Sequence, residues 1–390
     1  MEEAEIYLKW YHTFLFFFQT FLAVADTATD FLTSLAYRNQ DHPDHEKWFA
    51  VSLSVTLVTV TVLCVWSAIA STLRMLTKQD DAEAEAENPD VIFRNPVVNI
   101  LFSCFWLGPP LHSFQMFLVC AARFTELWKS DRGVPIEKGR LYYLYIHTLS
   151  LKMVEGLLES APQLIFQLYV MLMMESTKIE ITQYVSAPIS FITLTWMITS
   201  MEVFREFANS NLRLHHNLII FISNAGIIAA RTVAVVAFTL VFPWWLALVF
   251  GLHCFLINAC GYMLWRSERK QDMLIFIFAY SPLYLFIYSS HYLSKLRGNA
   301  RFGFQLQAGV SIAWHLLFTA ENMLMIFLYY KTDQVGKLDN TVALITVLVG
   351  NIGGMLLKSI MWHCCLEKEP MDTDRQRAIT IRVLNRKNRA

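Results

Sequence analysis

Long apolar stretches alternate with short polar ones along the whole chain. Apolar runs of about 20 residues, the length a helix needs to cross a bilayer, recur at 10–37, 48–74, 97–122, 141–174, 181–204, 217–241, 244–265, 272–290, 303–330 and 341–363. The pattern predicts helices throughout and no separate soluble domain. Its interruptions are the informative part. Asp26 and Asp30 sit inside YHTFLFFFQTFLAVADTATDFLTSLAY, and Glu155 and Glu159 inside SLKMVEGLLESAPQLIFQLYVML. Each pair is spaced i, i+4, so its two acids share one helix face. A carboxylate at bilayer depth is costly unless it faces protein, water or a counter-charge. Four such acids point to a polar route or site within the membrane.

Ten apolar runs do not mean ten crossings. Lys and Arg cluster at 123–140 (Arg123, Lys129, Arg132, Lys138, Arg140), 205–213 (Arg205, Arg213), 266–270 (Arg266, Arg269, Lys270), 295–301 (Lys295, Arg297, Arg301) and beyond 374. The positive-inside tendency places all of them in the cytoplasm, which ten full crossings forbid. The conflict disappears if 97–122 and 272–290 dip in and return. Gly108-Pro109-Pro110 and Pro282 supply helix breakers there, and irregular backbone at depth is tolerated where protein buries it. The expectation is an all-α polytopic membrane protein with eight transmembrane helices and two re-entrant half-membrane segments. These form two pseudo-symmetric repeats of the same orientation, residues 1–210 and 211–363, followed by a cytoplasmic basic tail at 364–390. Both termini are expected in the cytoplasm.

Composition agrees with the membrane reading: 55% of residues are hydrophobic and only 16% charged, where a soluble domain carries about 25% charged residues. The opening MEEAEIYLKW is acidic and lacks the basic start of a cleavable signal peptide, so the first helix is expected to anchor. Seven cysteines, with no Cys-x-x-Cys and no loop pair, support neither a disulfide framework nor a zinc site. Cys364 and Cys365 fall where the last helix leaves the membrane and are read as interfacial packing residues, with palmitoylation as the alternative. Residues 78–90 carry six acids and one Lys, a solvated loop or frayed helix. Residues 375–390 carry six basic residues and no acid; the tail either sets topology or rests on anionic lipid.

More charges lie at depth. Lys152 precedes Glu155 by one turn, Arg231 sits in GIIAARTVAVVAFTLVFP, Glu321 in WHLLFTAENMLMIFLYY, and Glu202 near the end of its span. Lys358, late in the last span, can snorkel. In the two-repeat scheme the first span carries Asp26 and Asp30 and its counterpart carries Arg231, so these are expected to pair. Two readings stand: buried ion pairs that fix helix packing, or a polar track that lowers the barrier for a charged group crossing the bilayer. His12, His112, His147, His253 and His315 read as packing or interfacial residues. No P-loop, HExxH or Ser-His-Asp arrangement occurs. No enzyme activity, cofactor, metal or nucleic-acid partner is therefore expected.

The run SLKMVEGLLESAPQLIFQLYVML resembles the most diagnostic segment of the XK-related family, matching it at Ser150, Leu151, Glu155, Glu159, Ala161, Pro162, Gln163 and Leu164. Lys152 stands where family members often have Arg. ADTATDFLTSLAY resembles the family's first span, with Asp26 and Asp30 matching its aspartates. IIAARTVAVVAFTLVFP resembles the fifth, with Arg231, and AENMLMIFLYY the seventh, with Glu321. Thr195-Trp196 fits a family Ser-Trp, but the acid and base that follow are displaced to Glu202 and Arg205. YSSHYLSKLRGNAR is only loosely similar to the family's second re-entrant region. The chain is thus similar to a divergent member.

That resemblance implies energy-independent phospholipid scrambling at the plasma membrane, exposing phosphatidylserine in apoptosis, with membrane phospholipids as the moving partner. Under it, Asp26, Asp30, Lys152, Glu155, Glu159, Glu202, Arg205, Arg231 and Glu321 form the intramembrane charge network, and Pro162 and Gln163 are a structural motif. It also implies a membrane-protein partner subunit and activation by a caspase. The matching cleavage position is Asp374, at the end of Met371-Asp372-Thr373-Asp374; Asp41-His-Pro-Asp44 falls in an expected outside loop. Two other readings are a solute or ion transporter that uses the buried acids as relays, and a non-transporting subunit that scaffolds a partner.

Overall fold

The computed structural model describes residues 6–40, 42–77, 108–130, 133–136, 140–174, 179–206, 213–264, 285–286, 300–332 and 338–361. A short strand, β1 (Ile6–Leu8), precedes helix α1 (Trp10–Arg38), and α2 (His45–Thr77) doubles back beside it. Then come α3 (Gly108–Ala122), α4 (Phe124–Lys129) and β2 (Val134–Ile136). A long bent rod follows: α5 (Arg140–Glu155), a single π turn (Gly156–Ser160) and α6 (Ala161–Met173). The bundle is completed by α7 (Ile181–Glu206), α8 (Leu214–Val241), α9 (Trp245–Leu264), α10 (Ala300–Tyr330) and α11 (Asn340–Met361). Stretches within α1, α2, α7, α8 and α11 are each long and apolar enough to span a membrane. This is a multi-pass helical membrane protein. Of the run 97–122 the structure describes the helix from Gly108, and 272–290 lies outside the described residues apart from 285–286; the other helices start within several residues of their runs, as 217–241 becomes Leu214–Val241.

Outward-facing apolar side chains mark the lipid side. On α1, Phe14, Phe17, Phe18 and Phe21 are exposed, while Thr13, Gln19, Asp26, Asp30, Thr33 and Ser34 are buried. This is the inverse of a soluble amphipathic helix, with polar groups inward because the surroundings are apolar.

Cross-helix bonds give the directions. Ser34 Oγ lies 2.8 Å from Ser52 Oγ, so α1 and α2 are antiparallel. Asp26 meets Ser160 and Asp30 meets Gln167, so the bent rod runs parallel to α1. Asp26 also meets Ser190 and Asp30 meets Ser186, so α7 runs back. Strand β1 pairs antiparallel with β2, Ile6 opposite Ile136 and Leu8 opposite Val134. The start of α1 and the approach to α5 therefore share one end of the bundle. Asn217, in the first turn of α8, donates to the Tyr11 hydroxyl at 3.4 Å, and Lys358 near the end of α11 meets Glu202 near the end of α7. The beginning of α1 and the end of α11 thus lie at the same end.

Helix α8 is the most enclosed. Ile227, Ile228, Ala230, Arg231, Ala234, Val235 and Ala237 are all at most 2% exposed. It packs on α11 through small residues. Ser223 Oγ donates to the Gly354 carbonyl at 2.6 Å, and Gly350 lies against the Gly226 carbonyl and Ala230 Cβ. Gly350 and Gly354 form a small-xxx-small contact that lets two backbones approach, the usual device where lipid gives no hydrophobic drive for helix association.

Candidate functional site

The π turn creates the first polar cluster, and Pro162 explains the turn. Proline has no N–H, so it cannot bond the Leu158 carbonyl four residues back. The Ala161 N–H instead bonds Gly156 O, closing a π turn. The freed Leu158 carbonyl accepts from Thr59 Oγ1 of α2 at 2.8 Å. Gln163 completes the seam with α2. Its Nε2 donates to Ser52 O and Thr56 Oγ1, both at 2.8 Å, while Ser52 Oγ donates to its Oε1 at 3.1 Å. Pro162 and Gln163 therefore shape the bent rod and lock it to α2.

Asp26 and Asp30 face this rod on one side and α7 on the other, and neither is exposed. Asp26 accepts from Ser160 Oγ and Ser190 Oγ, each at 2.7 Å. Asp30 Oδ1 accepts from Ser186 Oγ at 2.6 Å, Gln167 Nε2 at 2.9 Å and Ser190 Oγ at 3.4 Å. Lys152 pairs with Glu155 one turn along, Nζ to Oε2 at 3.0 Å. Glu159, wholly buried, completes the group, and Asp30, Asp26 and Glu155 all act on it electrostatically. The four acids and Lys152 gather as one cluster within the first half of the chain.

Arg231 is elsewhere, which corrects the expected pairing with Asp26. Its Nη1 lies 3.2 Å from Glu321 Oε2, and its Nη2 donates to Glu321 Oε1 at 3.2 Å. Nη1 also donates to Asn322 Oδ1 at 2.8 Å, and Nε to the Leu285 carbonyl at 2.9 Å. The guanidinium carbon lies 5.9 Å from the Phe250 ring centre and 5.1 Å from that of Phe318, within cation–π range. His253 Nδ1 approaches the same Glu321 carboxylate at 3.2 Å. The physical reason is adjacency. The Arg231 face of α8 looks toward α10, whereas the Asp26–Asp30 face of α1 meets the bent rod and α7 and the rest of α1 packs on α2 and α3, so the two faces do not meet.

A third cluster joins the halves. Glu202 Oε2 accepts from Lys358 Nζ at 2.9 Å and from Asn224 Nδ2 at 2.9 Å. Lys358 is buried and turns inward to Glu202 rather than snorkelling. Arg205 lies on α7, but its side chain falls outside the described residues, as do Asp374 and the basic tail. At the turn after α1, Lys47 Nζ sits 2.8 Å from Asp44. The lysine's bond and charge hold the Asp44 carboxyl below its ordinary value; the pair is exposed, where such pairs contribute little.

The charged residues were legible in the sequence; most of their partners were not. Ser186 and Ser190 carried one usable signal: their i, i+4 spacing mirrors that of Asp26 and Asp30. Asn224, Asn322, Gln167 and Thr59 carried none. His253 read as a packing residue and belongs to the Arg231 cluster.

A family model described as XK-related protein matches residues 14–367. XK-related protein 8 of Tetraodon nigroviridis is 26% identical over 271 residues, covering 65% of this chain and 62% of that protein. The match thus spans less than two thirds of the relative's length.

Proposed function

Because this chain belongs to the XK-related family, we propose that it moves phospholipids between bilayer leaflets without an energy source. Members of the family are linked to phospholipid scrambling. One observation in this molecule supports the reading. The buried polar side chains of α1, from Thr13 to Ser34, cover about 32 Å at 1.5 Å per residue, close to the ~30 Å of a hydrocarbon core. Between them Gln19 bonds Ser113 of α3, and Asp26 and Asp30 form a seam with Ser160 and Gln167 of the rod and Ser186 and Ser190 of α7. Such groups can replace part of the hydration a headgroup loses while its tails stay in lipid.

In this arrangement the seam is closed. Asp26, Asp30 and Glu159 are inaccessible and their faces are covered by helices. Scrambling then requires α1 to part from the bent rod or α7, exposing the seam along one side. In apoptosis at the plasma membrane, with phosphatidylserine exposure as the outcome, a protease acting near Asp374 and a partner membrane protein are the candidate triggers.

We read the topology as eight crossings and two re-entrant segments with cytoplasmic termini. Three features support it. The described part of helix α3 covers 15 residues, about 22 Å, and β2 returns to the end where α1 began. Leu285 touches Arg231 midway along α8, although α9 ends and α10 starts at the opposite end from the α8–α9 turn. Helices α7 and α9, each followed in the sequence by basic residues, both run toward the end where β1 and β2 lie.

The enclosure of the acids favours a second reading, a dry clasp that scaffolds helix packing. Reconstitution separates the two. Liposomes carrying a headgroup dye are treated with an impermeant bleaching agent, using the full chain and a chain ending at residue 374. Bleaching beyond the outer-leaflet share in either preparation upholds scrambling. Bleaching limited to that share in both removes it.

A further inference from the structure

We propose that the first-half cluster binds a proton, held on Glu159. The argument is an accounting of charge and donors within the cluster. Asp26, Asp30, Glu155 and Glu159 are at most 2% exposed. Among the described residues, Lys152 is the one cationic side chain that meets them. Asp26 has two hydroxyl donors and Asp30 has three donors. Glu155 has the Lys152 ammonium. Glu159 has none: among the described residues neither of its oxygens has a hydrogen-bond partner, although the side chain is wholly buried.

An ionised carboxyl can only accept hydrogen bonds. Burying one with no donor, beside three other carboxyls, combines two penalties, lost hydration and like-charge repulsion. A protonated carboxyl removes both. It is neutral, and its O–H becomes a donor. The cluster also holds an acceptor in need of one, because among the described residues Asp30 Oδ2 has no partner while Oδ1 takes all three of that residue's donors. With the proton on Glu159, every carboxylate left ionised has a donor: Glu155 has Lys152, Asp26 and Asp30 keep theirs, and the net charge of the cluster falls from −3 to −2.

The groups bearing on Glu159 from each packed element are few. Helix α1 brings Asp26 and Asp30, and α5 brings Lys152 and Glu155. The nearby α2, α6 and α7 contribute hydroxyls and amides, namely Ser52, Thr56, Thr59, Gln163, Gln167, Ser186 and Ser190. The proton is a ligand of the resting protein, whatever passes across the membrane when it opens.

Infrared spectroscopy of the full chain in an ester-free detergent reads this directly, with no need of lipid movement. The wild type at neutral pH should show a protonated carboxylic C=O band that shifts in heavy water, and Glu159→Gln should lose it. Absence of the band in the wild type overturns the proposal, as does its survival in Glu159→Gln or its loss only in Asp30→Asn. A Glu159→Gln protein that fails to fold also overturns it, because Gln keeps the shape and neutrality of a protonated Glu. A bound metal ion in place of the proton would give the first of these outcomes.

Discussion

Replacing Arg231 by Met tests the structure's main departure from sequence expectation. The change removes the charge while keeping most of the side-chain length. It leaves Glu321 without its guanidinium, and Glu321 is 19% exposed on its side chain while Arg231 is fully buried. Breaking one member of a buried pair costs about 3–5 kcal/mol. Because Glu321 retains some access to solvent, Arg231→Met should fall near the lower figure. Glu321→Gln strands a fully buried guanidinium and should fall near the upper. Removing both charges should cost less than the sum, with a coupling of about 2–3 kcal/mol. The matching cycle with Asp26→Asn should be additive to within about 0.5 kcal/mol, since Asp26 shares no partner with Arg231. Equilibrium unfolding in mixed micelles, followed by tryptophan fluorescence, measures all of these. Additivity between positions 231 and 321, or strong coupling between 231 and 26, would refute the assignment.

Two other substitutions follow from packing. Gly354→Ala places a methyl 2.7 Å from the Ser223 carbonyl and Ile227 Cγ1, forcing α8 and α11 apart at a cost of about 1–3 kcal/mol; Gly353→Ala meets nothing within 4 Å and should be neutral or mildly stabilising in the same unfolding assay. Thr59→Val removes the donor to the Leu158 carbonyl and should cost about 1–3 kcal/mol. In a Pro162→Ala background, where a backbone N–H is restored, most of that penalty should vanish.

What could be read from the sequence follows from what is local. Helix position came from apolar length, and burial of Asp26, Asp30, Glu155 and Glu159 came from their depth within it. The π turn was foreshadowed by Pro162, but its consequence, a donor from Thr59, depended on which helix lies alongside. Partner choice is a property of helix adjacency, which hydropathy does not encode. The expectation from repeat symmetry therefore misled at Arg231, because correspondence between two halves is not contact. Lys358 shows the same limit, because snorkelling was reasonable until α11 was seen to place it against Glu202.

The aspartates of α1 also bear on how the chain is made. Their serine donors lie 134 to 164 residues downstream. At 5–20 residues per second, α1 leaves the ribosome roughly 7 to 33 s before those donors exist. During that interval it must enter lipid carrying two acids, each opposing insertion by about 2.5–3.5 kcal/mol at mid-membrane. Helix α1 is thus made well before it is satisfied. Its settled place in the bilayer is decided by the arrival of α7, and biogenesis of the first half is a concerted step rather than a succession of independent insertions.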